Sequence, residues 1–223
     1  MKTAIIVAGG SGRRFGSDVP KQFLPLAGKP MLFHAIGAFH RYDADMELVV
    51  VLPRDQIGAW GRLCAGHGPL PEHRVVPGGA ERFHSVRAGL DGVKHDGLVA
   101  VHDGARPLAD PALIGRCMEA ALEHGAAIPV VPVSSSVRQV SGGSSRAIDR
   151  SQLRMVQTPQ CFRAHLLRKA FGLPFEPAFT DEATMVERLG IELFLVEGEE
   201  RNFKVTTPLD LRLAEALLAG RSR

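Results

Sequence analysis

The feature of this sequence that most constrains its fold is a regular alternation between two kinds of segment. Short apolar runs rich in β-branched residues, several of them apolar almost throughout, alternate with longer stretches whose apolar residues have helical spacing. Apolar strands of this kind are typical of a sheet covered on both faces, and strand–helix alternation favours parallel pairing. The sequence therefore predicts an α/β fold with a doubly wound, mainly parallel sheet, in a single domain over residues 1–223.

The predicted elements follow from these two periodicities. The predicted strands are Thr3–Val7, Glu47–Leu52, Arg74–Val76, Leu98–His102, Ile128–Val133 and Glu192–Val196. The predicted helices are Met31–Phe39, Gln56–Cys64, Phe83–Val93, Pro111–His124, Ala164–Phe171, Asp181–Leu189 and Leu209–Leu218. Pro30 and Pro208 stand where the first turn of a helix tolerates proline, and Gly125 and Gly190 stand where helices end.

One segment, residues 134–151, departs from the alternation. Its sequence SSSVRQVSGGSSRAIDRS places short alternating pieces, Ser136–Val140 and Arg146–Asp149, on either side of Gly142 and Gly143. Alternation around a two-glycine turn predicts a β-hairpin that extends from the main sheet as an arm. The alternative is a Ser- and Gly-rich loop without strands, and the alternating flanks favour the hairpin.

The charge distribution indicates a local anion site. The net charge is +3, but residues 1–42 hold six Lys and Arg and a single acid, Asp18. This excess is interrupted by Gly and Pro and is accompanied by only 6% aromatic residues, unlike a nucleic-acid-binding surface. We therefore expect small-molecule substrates and no nucleic acid.

The apolar segments and the cysteines exclude further classes. No apolar run approaches the ~20 residues that span a bilayer, so we expect no membrane partner. The apolar stretch Ala4–Ala8 is too short for the core of a signal peptide, which favours a cytoplasmic location. The widely spaced Cys64, Cys117 and Cys161 have apolar neighbours and are interpreted as core thiols rather than zinc ligands or disulfides.

A glycine-rich string with two cations follows the first predicted strand. Its sequence is AGGSGRRFGSDVPKQ over residues 8–22, with Lys21 seven positions after Arg14. Glycine lets the backbone turn tightly and point N–H groups at phosphate oxygens, and two cations over such a turn suit a triphosphate. The string lacks the Gly-Lys-Ser/Thr of a P-loop and matches the dinucleotide fingerprint only in part, which disfavours an NAD-dependent oxidoreductase. A generic strand-to-helix loop with solvated cations is the alternative.

Three polar segments are expected to meet at one edge of the sheet. Ala8–Gly12, Gly78–Gly79 and Asp103 all follow predicted strands directly. Ligands bind at the carboxyl ends of strands in open α/β sheets. Asp103 is placed to hold Mg²⁺ directly or through water, although a turn residue or helix cap would have the same sequence setting. His102 is predicted to be a strand residue rather than a catalytic base, and Ser85 could cap the helix in which it lies.

The A-G-G-x-G-x-R loop followed by P-K-Q resembles the nucleotidyltransferase superfamily that activates sugars and polyols. Within it, the remaining motifs resemble the 2-C-methyl-D-erythritol 4-phosphate cytidylyltransferase family of the non-mevalonate isoprenoid pathway. These motifs are GGAERFHSV (residues 78–86), VHDGARP (101–107), DRSQLRMVQTPQCF (149–162), TDEA (180–183) and NFKVTTPLDL (202–211). They occur in order over nearly the whole chain, and the ordered set is much more specific than any one of them.

The resemblance implies a Rossmann-like nucleotidyltransferase that transfers CMP from CTP to 2-C-methyl-D-erythritol 4-phosphate, with Mg²⁺ as cofactor. It implies that Arg14 and Lys21 stabilise the transition state, and that Arg150 and Lys204 position the polyol phosphate. It also implies a homodimer in which the arm lets Arg150 and Thr158 complete the partner's site. The implied substrate-binding residues are Ala8, Gly9, Gly10, Gly12, Gly79, Ser85, Asp103, Arg106, Thr158 and Thr180.

The residues present suit the chemistry of this reaction. A phosphate monoester has a second pKa of about 6, so the nucleophile is largely dianionic at neutral pH and needs no general base. Catalysis then depends on cations and metal that neutralise the charge developing on the α-phosphate and pyrophosphate. Two alternatives stay open: a cytidylyltransferase for ribitol 5-phosphate or a sugar 1-phosphate, and a non-catalytic nucleotide-binding regulator. The family's P-V-x-D-T-x-K at the start of the arm is altered here to Ser135 and Arg138 at two charged positions, so arm docking or polyol contacts are expected to differ.

Overall fold

The computed structural model describes residues 1–9 and 19–221. Its strands are β1 (Lys2–Val7), β2 (Pro25–Leu26), β3 (Lys29–Pro30), β4 (Glu47–Leu52), β5 (Arg74–Pro77), β6 (Leu98–Asp103), β7 (Ala126–Pro132), β8 (Val137–Ser141), β9 (Ser144–Ile148), β10 (Arg154–Val156), β11 (Gln160–Arg163) and β12 (Phe194–Glu197). Its α-helices are α1 (Met31–Tyr42), α2 (Ile57–Gly66), α3 (Arg82–Leu90), α4 (Pro111–His124), α5 (Ala164–Phe171), α6 (Glu182–Glu187) and α7 (Pro208–Arg221). Every strand and helix predicted from the two periodicities is present, with ends that differ by at most three residues.

The central sheet is mainly parallel. Its strands follow the order β5–β4–β1–β6–β11–β7, and β10 and β12 also pair with β7. The pairs β1–β4, β1–β6, β4–β5 and β7–β12 are parallel. Strand β11 pairs antiparallel with both β6 and β7, and β10 pairs antiparallel with β7. The predicted mainly parallel sheet is therefore confirmed.

Helices cover both faces of this sheet. Successive side chains of a strand point to opposite faces. On one face, Ala4 and Ile6 of β1 lie in a core cluster with side chains of α1, α2 and α4. On the other face, Ile5 of the same strand lies in a cluster with side chains of α3, α5 and α6. This is the doubly wound arrangement that the apolar strands predicted.

Strands β10 and β11 are not among the predicted elements. These strands flank the cis peptide between Thr158 and Pro159. Proline is uncommon within sheets because it cannot donate a ladder hydrogen bond, so the pattern around Pro159 does not indicate a strand. Strand β11 lies between β6 and β7, with Gln160 opposite Val101 of β6. Residues 157–160 are thereby held next to the carboxyl end of β6.

The predicted hairpin arm is present within residues 134–151. Strands β8 and β9 pair antiparallel and form a two-stranded sheet of their own. Gly142 and Gly143 at the turn have φ values of 51° and 83°, the left-handed conformation that two-residue hairpin turns require. Val140 in β8 is 73% exposed. The arm therefore contributes little to the core of its own chain.

The carboxyl ends of β1, β4, β5 and β6 lie at one edge of the sheet. Backbone hydrogen bonds continue the strand pairing just beyond it: Gly78 N donates to Leu52 O at 2.7 Å, and Gly104 N donates to Val7 O at 2.8 Å. The polar segments that follow these strands therefore meet at this edge, as far as they lie within the described residues.

The cysteines agree with their interpretation as core thiols. Cys117 and Cys161 are buried and Cys64 is partly buried, as expected of core thiols. Among the described helices, none is long and apolar enough to cross a membrane.

Candidate active site at the carboxyl edge of the sheet

The candidate site is organised around the carboxylate of Asp103, the last residue of β6. Lys204 Nζ lies 2.8 Å from Asp103 Oδ2, and Arg82 Nε lies 3.3 Å from Asp103 Oδ1. The Asp103 side chain is 12% exposed. Burial disfavours its ionisation, but the positive charges of Arg82 and Lys204 outweigh burial and hold the pKa of Asp103 well below its usual range. Asp103 is therefore ionised at physiological pH.

The segment 202–205 lies along the turn that follows β6. Arg106 Nη1 donates to Asn202 O at 2.7 Å. Val205 N donates to the carbonyl oxygen of Ala105, in the turn, at 2.8 Å. These two contacts flank Lys204, and they bring its side chain onto the carboxylate at the end of β6. The Arg106 guanidinium is itself largely buried and lies close enough for its charge to act on Asp103.

Lys21 joins this group from the N-terminal part of the chain. It begins a short 3₁₀-helix, Lys21–Phe23, and its Nζ donates to Val205 O at 3.1 Å. Gln22 Nε2 donates to Ala8 O at 2.8 Å and ties this helix to the end of β1. Among the described residues, the cations gathered at the edge are thus Lys21, Arg82, Arg106 and Lys204. Together they form a positive surface suited to phosphate oxygens.

Beneath Asp103, a chain of hydrogen bonds holds the turn in place. His102 Nε2 lies 3.1 Å from Arg106 O, a carbonyl that can only accept, so the ring proton is on Nε2. Nδ1 is then an acceptor, and the Thr158 hydroxyl donates to it at 3.1 Å. Thr158 Oγ1 in turn accepts the Asp103 N–H at 3.0 Å. Burial lowers the pKa of His102 to about 4, so the ring is neutral and supports the turn rather than acting as a base.

A second loop, after β5, lies beside this group. Gly79 N donates to Ser85 Oγ at 3.2 Å, and Ser85 Oγ donates to Glu81 O at 3.1 Å. The N-cap of α3 is Glu81, so Ser85 does not cap the helix and instead holds the glycine loop against its first turn. A Cβ on Gly79 would lie 2.4 Å from His84 Cβ, so this position needs glycine.

Arg82 is supported by an acidic residue that is not among the predicted site residues. Glu182, the first residue of α6, is 1% exposed, and its Oε1 pairs with Arg82 Nη1. Burial raises the pKa of Glu182 and the charge of Arg82 lowers it, with burial the larger effect. The sequence signal for Glu182 lies in the TDEA motif. One acid, Asp181, is enough to cap the helix, so the second acid beside it indicates another role.

A family model described as IspD, 2-C-methyl-D-erythritol 4-phosphate cytidylyltransferase, matches residues 2–220. The chain belongs to the IspD family. It is 48% identical to the Bacteroides thetaiotaomicron 2-C-methyl-D-erythritol 4-phosphate cytidylyltransferase over 97% of this chain and 99% of that one. Identity with the Geobacillus kaustophilus protein of the same name is 37%, over 98% and 97% of the two chains. The crystal structure of the Thermus thermophilus protein is similar, with a TM-score of 0.77, 36% identity and coverage of 98% and 100%.

IspD membership confirms the fold and the enzyme class, a nucleotidyltransferase, that the resemblance implied. The structure also places most of the implied site residues. Those that lie at the carboxyl edge are Ala8, Gly9, Lys21, Gly79, Ser85, Asp103, Arg106 and Lys204. Gly10, Gly12 and Arg14 lie outside the described residues.

Three implied residues are placed differently from the rest of the group. Arg150 is exposed at the base of the arm, where it donates to Ser134 O, and it does not contact the Asp103 carboxylate. Thr158 is 5% exposed, and its hydroxyl is hydrogen-bonded on both sides within its own chain. Its implied role in the partner's site stays a prediction. Thr180 is exposed and directly precedes Asp181, the N-cap of α6.

Proposed function

We propose that this protein transfers the CMP group of CTP to 2-C-methyl-D-erythritol 4-phosphate, giving 4-diphosphocytidyl-2-C-methyl-D-erythritol and pyrophosphate in isoprenoid precursor biosynthesis. The observation that carries the proposal is the convergence of Lys21 and Lys204 beside the ionised Asp103 at the carboxyl edge of the sheet. Family membership supports the choice of substrates, since the relatives at 46–48% identity carry this name.

The reaction is an in-line displacement at phosphorus. A phosphate oxygen of the polyol attacks the α-phosphorus of CTP, and the bond from that phosphorus to the oxygen bridging the β-phosphate breaks, releasing pyrophosphate. The attacking monoester is largely dianionic at neutral pH, so it needs no proton acceptor. This agrees with the environment of His102, whose two ring nitrogens are both engaged beneath the turn.

The main obstacle to this reaction is the repulsion between an anionic nucleophile and a polyanionic substrate. Lys21, Lys204 and Arg106 offer positive charge and N–H donors where the α-phosphate and the leaving pyrophosphate carry developing negative charge. Arg14, in the glycine-rich string, is proposed to act with them. Asp103 keeps this group of cations together in the absence of the substrate's charge.

We include Mg²⁺ in the proposal on the chemistry of Asp103. Mg²⁺ binds through one or two carboxylates together with substrate phosphates. Asp103 is ionised, and its Oδ2 is paired with Lys204, whose side chain is 42% exposed and free to turn toward phosphate oxygens. When bound, Mg²⁺ would neutralise charge on the triphosphate.

A homodimer in the cytoplasm completes the proposal. Most residues of the arm are exposed, and Val140 is 73% exposed, which suits a contact with a second copy. Arg150, at the base of the arm, would then reach the polyol phosphate in the partner's site. Arg138, which has the same charge as the family's lysine, donates to Ser145 Oγ at 2.8 Å, so its guanidinium contacts the arm itself. A cytoplasmic location follows from the need for CTP.

A pyrophosphate-release assay tests the proposed function. The wild-type protein is tested with each of the four nucleoside triphosphates against 2-C-methyl-D-erythritol 4-phosphate, ribitol 5-phosphate and a sugar 1-phosphate. We expect release with CTP and the methylerythritol phosphate, and a loss of kcat on the order of 10²–10³ in Lys21→Ala. Lys29→Ala, at an exposed lysine of β3, is the matched control.

Two outcomes would overturn the proposal. Release with ribitol 5-phosphate and not with the methylerythritol phosphate would assign the enzyme to another polyol. A rise in melting temperature with CTP, without release for any pair of substrates, would indicate a nucleotide-binding regulator.

A further inference from the structure

Glu182 is a buried carboxylate that is only partly satisfied. Its side chain is 1% exposed, and Oε1 pairs with Arg82 Nη1. Its Oε2 is buried and has no hydrogen-bond partner among the residues that the structure describes. Placing an ionised carboxylate away from water in this way is unfavourable, so the Glu182–Arg82 pair is weak as a stabilising contact. The arrangement calls for another explanation.

Arg82 links Glu182 to the centre of the site. Its Nε and Nη2 both lie 3.3 Å from Asp103 Oδ1, while Nη1 faces Glu182. The two oxygens of Asp103 therefore have different partners. Oδ1 is held by Arg82, whose side chain is 28% exposed, and Oδ2 is held by Lys204, whose side chain is 42% exposed. Lys204 is the partner that can leave, and Arg82 is the partner that stays.

Glu182 is itself held by the sheet. Gln160 of β11 donates from Nε2 to Asp181 Oδ2 at 2.9 Å and accepts the Ala183 N–H at 3.0 Å. These bonds hold the residues on both sides of Glu182. Strand β11, whose Gln160 holds the neighbours of Glu182, pairs with β6, which carries Asp103. The residue that supports Arg82 and the carboxylate that Arg82 contacts are therefore held by adjacent strands.

We propose that Glu182 is a positioning residue for the reaction: it holds the Arg82 guanidinium on Asp103 Oδ1, so that the Asp103 carboxylate keeps its orientation when Lys204 turns from Oδ2 to the phosphates of the substrate. The inference rests on the proposed function for its substrates. Glu182 touches neither substrate and acts through Arg82.

The test is a double-mutant cycle in the pyrophosphate-release assay. The proteins compared are wild type, Glu182→Gln, Arg82→Gln and the double variant, each with its melting temperature measured. We expect Glu182→Gln to lower kcat by about 10- to 100-fold, as loss of a supporting partner does, while KM for both substrates changes by less than about threefold. In the Arg82→Gln background, Glu182→Gln should have almost no further effect, because the residue it acts through is already gone.

Two further variants separate positioning from folding. Glu176→Gln is the matched control, since Glu176 forms an exposed ion pair with Arg188, and it should leave kcat unchanged. Glu182→Asp retains the charge and should recover part of the lost kcat. The inference is wrong if folded Glu182→Gln has a kcat within about twofold of wild type, or if the effects of Glu182→Gln and Arg82→Gln multiply independently.

The same experiment keeps this inference distinct from the proposed function. Wild-type turnover decides the function by itself. If no substrate pair releases pyrophosphate, the contact between Arg82 Nε and Asp103 Oδ1 is followed instead by the Arg82 Nε–H resonance in ¹H–¹⁵N spectra. A shift of this resonance in Glu182→Gln and not in Glu176→Gln supports the positioning role, and an unchanged resonance in folded Glu182→Gln overturns it.

Discussion

Lys204 and Asp103 form an ion pair of unequal exposure: Nζ lies 2.8 Å from Oδ2, with 42% of the lysine side chain exposed and 12% of the aspartate side chain. A pair with one partner this exposed adds only ~0–1 kcal/mol to stability. When Lys204 is replaced, the Asp103 carboxylate still has its ion pair with Arg82. The pair therefore matters more for catalysis than for folding.

We predict that Lys204→Gln lowers kcat by a factor on the order of 10²–10³, because a cation aimed at developing phosphate charge is lost. The free energy of unfolding should change by less than about 1 kcal/mol. Steady-state pyrophosphate release and urea denaturation measure the two effects. Lys169→Gln, at an exposed lysine of α5, should change neither. If Lys204→Gln retained more than about a tenth of wild-type kcat, Lys204 would not act on the transition state.

The second prediction concerns His102 and pH. Its pKa is about 4 in the folded protein, below the ordinary 6.5, because burial disfavours the charged ring. As pH falls from about 6.5 to 4, the unfolded chain takes up a proton that the folded chain does not, so the free energy of unfolding decreases. The full loss is ~3 kcal/mol and is reached near pH 4.

Urea denaturation between pH 4 and 7.5 measures this loss, and comparison with His102→Gln isolates it. His34 and His95 also have lowered pKa values through burial and contribute in both proteins, so the difference between the two curves belongs to His102. His40→Gln, at an exposed position of α1, should leave the curve unchanged. Parallel curves for wild type and His102→Gln would contradict the prediction.

Much of the fold was predictable because the core strands are apolar on both faces and several helices begin at proline or end at glycine. Helix α4, from Pro111 to His124, is an example, with Asp110 capping its start and Gly125 at φ 89° ending it. Such local signals need no knowledge of the tertiary structure. Strand β11 was not predictable, since its pairing with β6 and β7 depends on contacts across the sheet.

The site was predictable in part, for a related reason. Asp103 and Lys21 stand in local motifs, so their positions at a strand end and after a glycine string are visible in the sequence. Glu182 gave a weaker signal, because its partner Arg82 is 100 residues away and the pairing exists only in the fold. The burial of Thr158 was not visible in the sequence, because it depends on the pairing of β11 with β6.

The third prediction concerns the glycine loop after β5. A Cβ on Gly79 would lie 2.4 Å from His84 Cβ, an atom fixed by the α3 backbone, so the loop must move to admit it. Gly79→Ala should lower kcat/KM for CTP on the order of tenfold, because overpacking shifts the loop and its hydrogen bond to Ser85. Steady-state kinetics with CTP as the varied substrate measure the effect.

A matched glycine in a helix is the control for this variant. A Cβ on Gly61, within α2, would have nothing within 4 Å. Gly61→Ala should therefore leave kcat/KM unchanged and raise the free energy of unfolding by about 0.5–1 kcal/mol, since alanine favours the helix over glycine. Equal kinetics for the two variants would show that the Gly79 loop does not contribute to CTP binding.

The fourth prediction tests the arm as a dimer contact. Replacing residues 137–148 by two glycines removes β8 and β9, which pair with each other in a sheet of their own. We expect wild type to sediment as a dimer and the shortened protein as a monomer with a melting temperature within about 3 °C, because the exposed arm adds little to the core of its own chain. Val140→Lys, at a residue 73% exposed, should weaken the dimer without shortening the chain. Sedimentation of the shortened protein as a dimer would place the contact elsewhere on the molecule.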